Sequence, residues 1–170
     1  MENSTTSSGL KTLVEVTKAD SRIKKAQLLP HPDSRLDSFL MKIHPISDEG
    51  VPYRDLTNLE TKKESLGQLI EKLNVTKSIR YQRTVEDTYC NVYSYDYCYF
   101  SKVYLPTIWW TDEALQRVLN GEEVEPVFGE TVDNIYSSAI HDWFGVWGAS
   151  FGWKKMTDLD EIQHKVNTEG

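Results

Sequence analysis

Cysteine is scarce in this chain: only Cys90 and Cys98 occur in 170 residues. Eight positions apart on what reads as one helix, they are separated by about 12 Å of rise, beyond the Cα distance a disulfide tolerates. Both are expected as free thiols, as in a reducing compartment. Without a Cys-x-x-Cys pair, a structural zinc site lacks ligands, and no cofactor is expected. An Asp-x-Asp-x-Asp pattern is missing too, so Glu122, Glu123, Glu125 and Glu130 read as a solvated acidic loop and not as a cation site. No apolar run approaches the roughly 20 residues of a membrane span, and no basic start with an apolar stretch opens the chain. Membrane insertion is not expected. Synthesis in the cytosol is, with lysis or an injection machine as the route to any outside target. Basic charge is lacking where the aromatics lie: residues 81–170 carry 6 basic against 15 acidic side chains, residues 1–80 carry 13 against 11. That balance argues against nucleic-acid binding, which needs basic patches to neutralise phosphate.

What is present suits a folded chain: 39% hydrophobic residues, 26% charged, five Trp and nine Tyr. The length fits a single domain over residues 10–170, behind a Ser/Thr-rich tail at 1–9 expected to be disordered. Residues 10–54 read as an irregular, partly β prelude. Thr12–Val16 and Phe39–Ile43 look like strands, and Pro30, Pro32, Pro45 and Pro52 punctuate the connections. Residues 55–170 read as helical. Leu56, Leu59, Leu66, Leu69, Ile70 and Leu73 form a helical stripe between Asp55 and Leu73. A second helix begins near Tyr89 or Cys90 and ends before Pro106. Thr111 caps a third, with Asp112 and Glu113 in its first turn and Gly121 at its stop. Thr131 is expected to cap a fourth, with a Tyr136, Ile140, Trp143, Trp147 stripe, and Thr157 opens a last helix through Leu159, Ile162 and Val166. The expected class is helix-rich α+β, with short N-terminal strands and an aromatic helical core.

The candidate chemistry centres on Cys90. A thiol is a better nucleophile as its thiolate, and the unpaired N–H groups and macrodipole of a helix N-terminus favour that anion. Asn91 and nearby backbone N–H groups are placed to assist an oxyanion. The bland alternative is a packed cysteine, since free cysteines are commonly buried.

Arg80-Tyr81, Thr88-Tyr89-Cys90-Asn91-Val92-Tyr93 with Asp96, and Leu105-Pro106 with Trp109-Trp110-Thr111 resemble papain-like cell-wall hydrolases. These are the CHAP and NlpC-type amidases and endopeptidases, including phage-lysin-like and injected toxin domains. The likeness extends through Phe151-Gly152-Trp153 and the last helix, over residues 79–167. It implies a partial papain-like domain acting on peptidoglycan or a peptide, with Cys90 as nucleophile and Asn91 as its structural neighbour. The family's base histidine lies on a strand after a helix like Thr157–Asn167, and this chain ends there, so a truncated or inactive relative is one expectation.

Among the four histidines, His141 is the candidate substitute base, with Asp142 able to orient it only if the two side chains turn together. His164 reads as a solvated surface residue, and His31-Pro32 and His44-Pro45 sit in the irregular part. Asp96, six residues beyond Cys90, points away from it and reads as a helix-face or buried polar group. Trp109 and Trp110 are candidate substrate-binding residues, because aromatic faces suit sugar or peptide rings. Adjacent residues do not both face inward in most geometries, so at least one is expected near the surface. The alternative function is a non-catalytic interaction module that binds a protein or glycan through exposed Trp and the acidic loop; a structural assembly component is a third.

Overall fold

A computed structural model describes residues 20–34, 39–47, 50–85 and 88–169, with only the backbone of Phe39. The strand expected at Thr12–Val16 and the tail at 1–9 lie outside the described residues. The chain is helix-rich α+β, and its described residues group into two compact units. One takes in the stretch up to Ala26 and Ile108–Lys154; the other takes in Gln27–Thr107 and the stretch from Lys155 onward. Among the described residues no helix is long and apolar enough to cross a membrane.

The unit from Gln27 to Thr107 contains α1 (Phe39–Lys42), α2 (Leu59–Leu73) and α3 (Cys90–Phe100), and the returning chain adds α6 (Leu159–Glu169). Its core is Ile46, Val51, Leu69, Leu73, Tyr81, Val92 and Phe100, with Tyr89, Tyr93, Tyr97 and Tyr99 packed on it. The strand expected at Phe39–Ile43 is instead the short helix α1 and its exit. In an extended strand successive carbonyls point to opposite sides, whereas the carbonyls of Met41, Lys42 and His44 all accept from the Arg80 guanidinium, at 3.1, 3.3 and 2.8 Å. A helix C-terminus supplies such converging, otherwise orphaned acceptors.

The helix expected from Asp55 starts at Leu59. The Asp55 carboxylate accepts from the backbone N–H and the hydroxyl of Thr57, at 2.8 and 2.6 Å, which turns the chain before the helix begins. Asn58 then closes a capping box with Thr61, and Asn74 ends the helix in the left-handed conformation, φ 47°. The last helix is capped by Asp158, one residue after the expected Thr157: its Oδ1 accepts from the Glu161 N–H at 2.8 Å. The ammonium groups of Lys62 and Lys63 on α2 reach the C-terminal carbonyls of Glu169 and Asn167, where the helix dipole favours cations.

The other unit holds β1 (Ile108–Trp110), α4 (Asp112–Leu119), β2 (Val132–Asn134) and α5 (Ser137–Val146). The two strands pair antiparallel, with Ile108 opposite Asn134, Trp109 opposite Asp133 and Trp110 opposite Val132. Thr111 caps α4 as expected, its hydroxyl accepting from Ala114 N–H. Thr131 does not cap a helix. Its hydroxyl accepts from Val127 N–H at 2.8 Å and donates to Glu125 O at 2.6 Å, closing a turn into β2 with Gly129 at φ 81°. The helix starts six residues after Thr131, at Ser137.

Candidate functional site

Cys90 is the first residue of α3 and its side chain is exposed. Tyr89 stands at the N-cap and its side chain makes no cap bond. Asn91 is half-buried beside it, and Ser94 one turn on donates its hydroxyl to Cys90 O at 3.1 Å. The second thiol differs. Cys98 is half-buried on the same helix, and burial pushes its pKa up to about 11. Both are free, as their spacing required.

Beneath this surface the same helix carries a charged centre. Arg80 and Asp96 are both fully buried and joined by two hydrogen bonds, Nε to Oδ2 at 2.6 Å and Nη2 to Oδ1 at 3.1 Å. Tyr81 donates its hydroxyl to Asp96 Oδ2 at 2.9 Å, and the remaining guanidinium donors serve the carbonyls of Ser34, Met41, Lys42 and His44. Asp96 is therefore a buried structural anion, in line with its spacing from Cys90. Arg80 had no role in the residue-by-residue reading, although it opens the Arg80-Tyr81 pair of the resembling motif. Periodicity cannot flag a buried guanidinium; the sequence hint was that pair together with Asp96.

Lys42 is buried as well, at 1% exposure, and its Nζ lies 3.3 Å from the centroid of the Tyr89 ring. Nothing local in the sequence distinguishes this lysine from a solvated one. Burial also raises the pKa of the Tyr93 and Tyr95 phenols, and that of Tyr99, beside Tyr53, to about 12.

Two histidines of this unit, His31 and His44, are hydrogen-bonded to backbone through Nδ1. His31 Nδ1 accepts from Asp33 N–H at 3.1 Å, His44 Nδ1 donates to Leu29 O at 2.8 Å, and the two rings lie 5.3 Å apart. His164 is exposed on α6. His141 belongs to the other unit, on α5, where its side chain is 93% exposed and Nδ1 meets the Asp142 carboxylate at 3.5 Å. The contact sits at the outer limit of a hydrogen bond.

The tryptophan pair turns to opposite faces of β1, as adjacent strand residues must. Neither stands free on the surface, because both faces are covered. Trp110 is buried and donates Nε1–H to Lys24 O at 2.8 Å. Trp109 is half-buried against Trp143, Trp147 and Phe151, with ring centroids 5.5, 6.0 and 6.0 Å away. Its Nε1 is shielded from solvent without an acceptor. Trp109 is thus the partly exposed member of the pair and Trp110 the buried one. The acidic loop is exposed, with Glu122 paired to Arg117 at 2.9 Å. Among the described residues no group of three or more His, Cys, Asp or Glu is placed to hold a metal ion.

No family model, no curated protein and no solved structure matches this chain.

Proposed function

We propose that the protein is a cysteine hydrolase of peptidoglycan type, an amidase or endopeptidase of papain-like kind, with Cys90 as its nucleophile. The observation that carries this is the exposed thiol at the first position of α3, next to an N-cap residue, Tyr89, whose side chain makes no cap bond. In this reading Cys90 Sγ attacks the scissile amide carbon, and the first-turn N–H groups with Asn91 receive the oxyanion. The C–N bond then breaks, the amine leaves with a proton, and water releases the acyl group from sulfur. A base has to carry the thiol proton to the departing amine, and the variant His141→Gln tests whether His141 is that base.

The test is site-resolved alkylation of Cys90 and Cys98 across pH 5 to 9, followed by peptidoglycan digestion with Cys90→Ala and His141→Gln. Fast modification of Cys90 in the folded protein, with cleavage lost in Cys90→Ala, is the expected result. A Cys90 no more reactive than in the urea-unfolded chain, and no release of amine from peptidoglycan, overturns it. Unchanged cleavage by His141→Gln removes His141 from the mechanism and leaves Cys90 in place.

A second reading, a non-catalytic module that binds a protein or glycan, is favoured by the commitment of His31 and His44, whose Nδ1 atoms are hydrogen-bonded to backbone. It predicts retention of the Cys90→Ala variant on insoluble peptidoglycan or on a partner, without cleavage by either form.

A further inference from the structure

We infer that Tyr93 and Tyr97 of α3 form the substrate subsite beside Cys90 and take neutral sugar rings of a glycan strand; this rests on the reading of Cys90 as a nucleophile, which fixes the end at which the scissile amide lies. On an α-helix, residues three, four and seven apart share one face. Counted from Cys90 those positions are Tyr93, Ser94 and Tyr97. Cys90 and Ser94 are exposed and the two tyrosines half-buried, whereas Val92, Tyr95 and Asp96, on the opposite face, are buried. The thiol therefore heads a stripe that runs about 10 Å along the helix to Tyr97, room for roughly two linked sugar rings.

The stripe is aromatic, anchored and uncharged. The Tyr93 and Tyr97 rings lie near-parallel, 28° apart in plane, with centroids 6.4 Å apart. Tyr81 meets the Tyr93 ring edge-on at 5.4 Å, and its hydroxyl is bonded to the buried Asp96, which ties the tyrosines to the core. Asp96 is the single charged residue of α3, and its carboxylate faces Arg80 and Tyr81 inside the unit. Sugar rings present C–H faces that suit aromatic surfaces, and hydroxyls that a polar neighbour bonds. Ser94 supplies that neighbour: its hydroxyl proton goes to Cys90 O at 3.1 Å, which leaves the oxygen able to accept from a sugar hydroxyl. A stem peptide brings carboxylates and amines, and the stripe holds no counter-charge for them. With the glycan on the tyrosines, the bond at Cys90 is the amide between glycan and peptide. Sulfur bonds to the acyl carbon on the glycan side, the C–N bond breaks, and the peptide amine leaves with the thiol proton.

The experiment titrates chitotetraose, a neutral N-acetylated sugar oligomer, into the Cys90→Ala chain and follows the tyrosine ring protons by NMR, with an unlinked acidic stem peptide as the comparison. The Tyr93 and Tyr97 signals are expected to move with the sugar and not with the peptide. Adding Tyr97→Ala, with folding followed by circular dichroism, is expected to weaken sugar binding about three- to tenfold, the worth of one aromatic contact, and Tyr97→Phe to retain it. Unmoved Tyr93 and Tyr97 signals, equal affinity in a folded Tyr97→Ala chain, or a response to the peptide in place of the sugar each overturn the inference. If Tyr97→Ala does not fold, the ring shifts decide alone. A Cys90 no more reactive toward iodoacetamide in the folded chain than in the unfolded one is the separate result that removes the hydrolase reading, and the ring shifts then still decide whether the stripe binds sugar.

Discussion

Arg80 and Asp96, sixteen residues apart in sequence, meet in a two-bond ion pair at 2.6 and 3.1 Å with neither side chain exposed to solvent. The pair joins α3 to the turn that precedes it, and through the other guanidinium donors it joins both to the 34–44 segment. Removing one partner of a buried pair leaves the other charge uncompensated, at a cost of about 3–5 kcal/mol. Asp96→Ala is therefore expected to lower stability by that amount in urea unfolding. Arg80→Met is expected to cost at least as much, because the carbonyls of Ser34, Met41, Lys42 and His44 lose their donor. The double variant should be less destabilised than the sum of the two, the signature of direct coupling.

Cys98 gives a pH dependence of known sign. Burial holds its pKa at about 11 in the folded chain, above the thiol's ordinary 9.0, so the folded state keeps a proton that the unfolded state releases. The stabilisation from this neutral thiol is fully present below pH 9 and is lost as pH rises through 11. Unfolding free energies measured between pH 8 and 11 are expected to fall less steeply in Cys98→Val than in the unaltered chain. Equal slopes would remove Cys98 as the source.

Thr111 and Thr131 look alike in sequence and do different work. Thr111→Ala removes the cap of α4 and is expected to cost about 1 kcal/mol. Thr131→Val removes two short turn bonds, to Val127 N–H and Glu125 O, with no helix end involved. Amide exchange separates the two: Thr111→Ala should speed exchange in the first turn of α4, and Thr131→Val in the β2 turn.

The tryptophans are predicted to act on stability before they act on binding. Trp110→Phe loses one indole bond to Lys24 O and is expected to cost about 1 kcal/mol. Trp109→Ala opens a hole among Trp143, Trp147 and Phe151 and is expected to cost about 3–5 kcal/mol. Thermal unfolding of both variants checks this. A Trp109→Ala chain as stable as its parent, with glycan binding lost, would restore Trp109 to a recognition role.

Local chemistry was enough to determine the long helices, the Thr111 cap, the start of α3 at Cys90 and the impossibility of a disulfide to Cys98. Each depends on neighbours within one or two turns: a stripe at three- and four-residue spacing, a hydroxyl three residues before an N–H, two thiols a fixed rise apart. Tertiary structure alone decided the rest. Three-residue strands carry no period, so the β1–β2 ribbon and the covering of both tryptophans were invisible along the chain. The run Phe39–Ile43 took a helical turn whose Met41 and Lys42 carbonyls converge on a guanidinium 38 to 39 residues away. No local pattern marks Arg80 or Lys42 as buried, and Asp96 reads along the chain as a helix-face or buried polar group. A charge is stable inside a protein only where distant partners gather around it, and that gathering is a property of the fold.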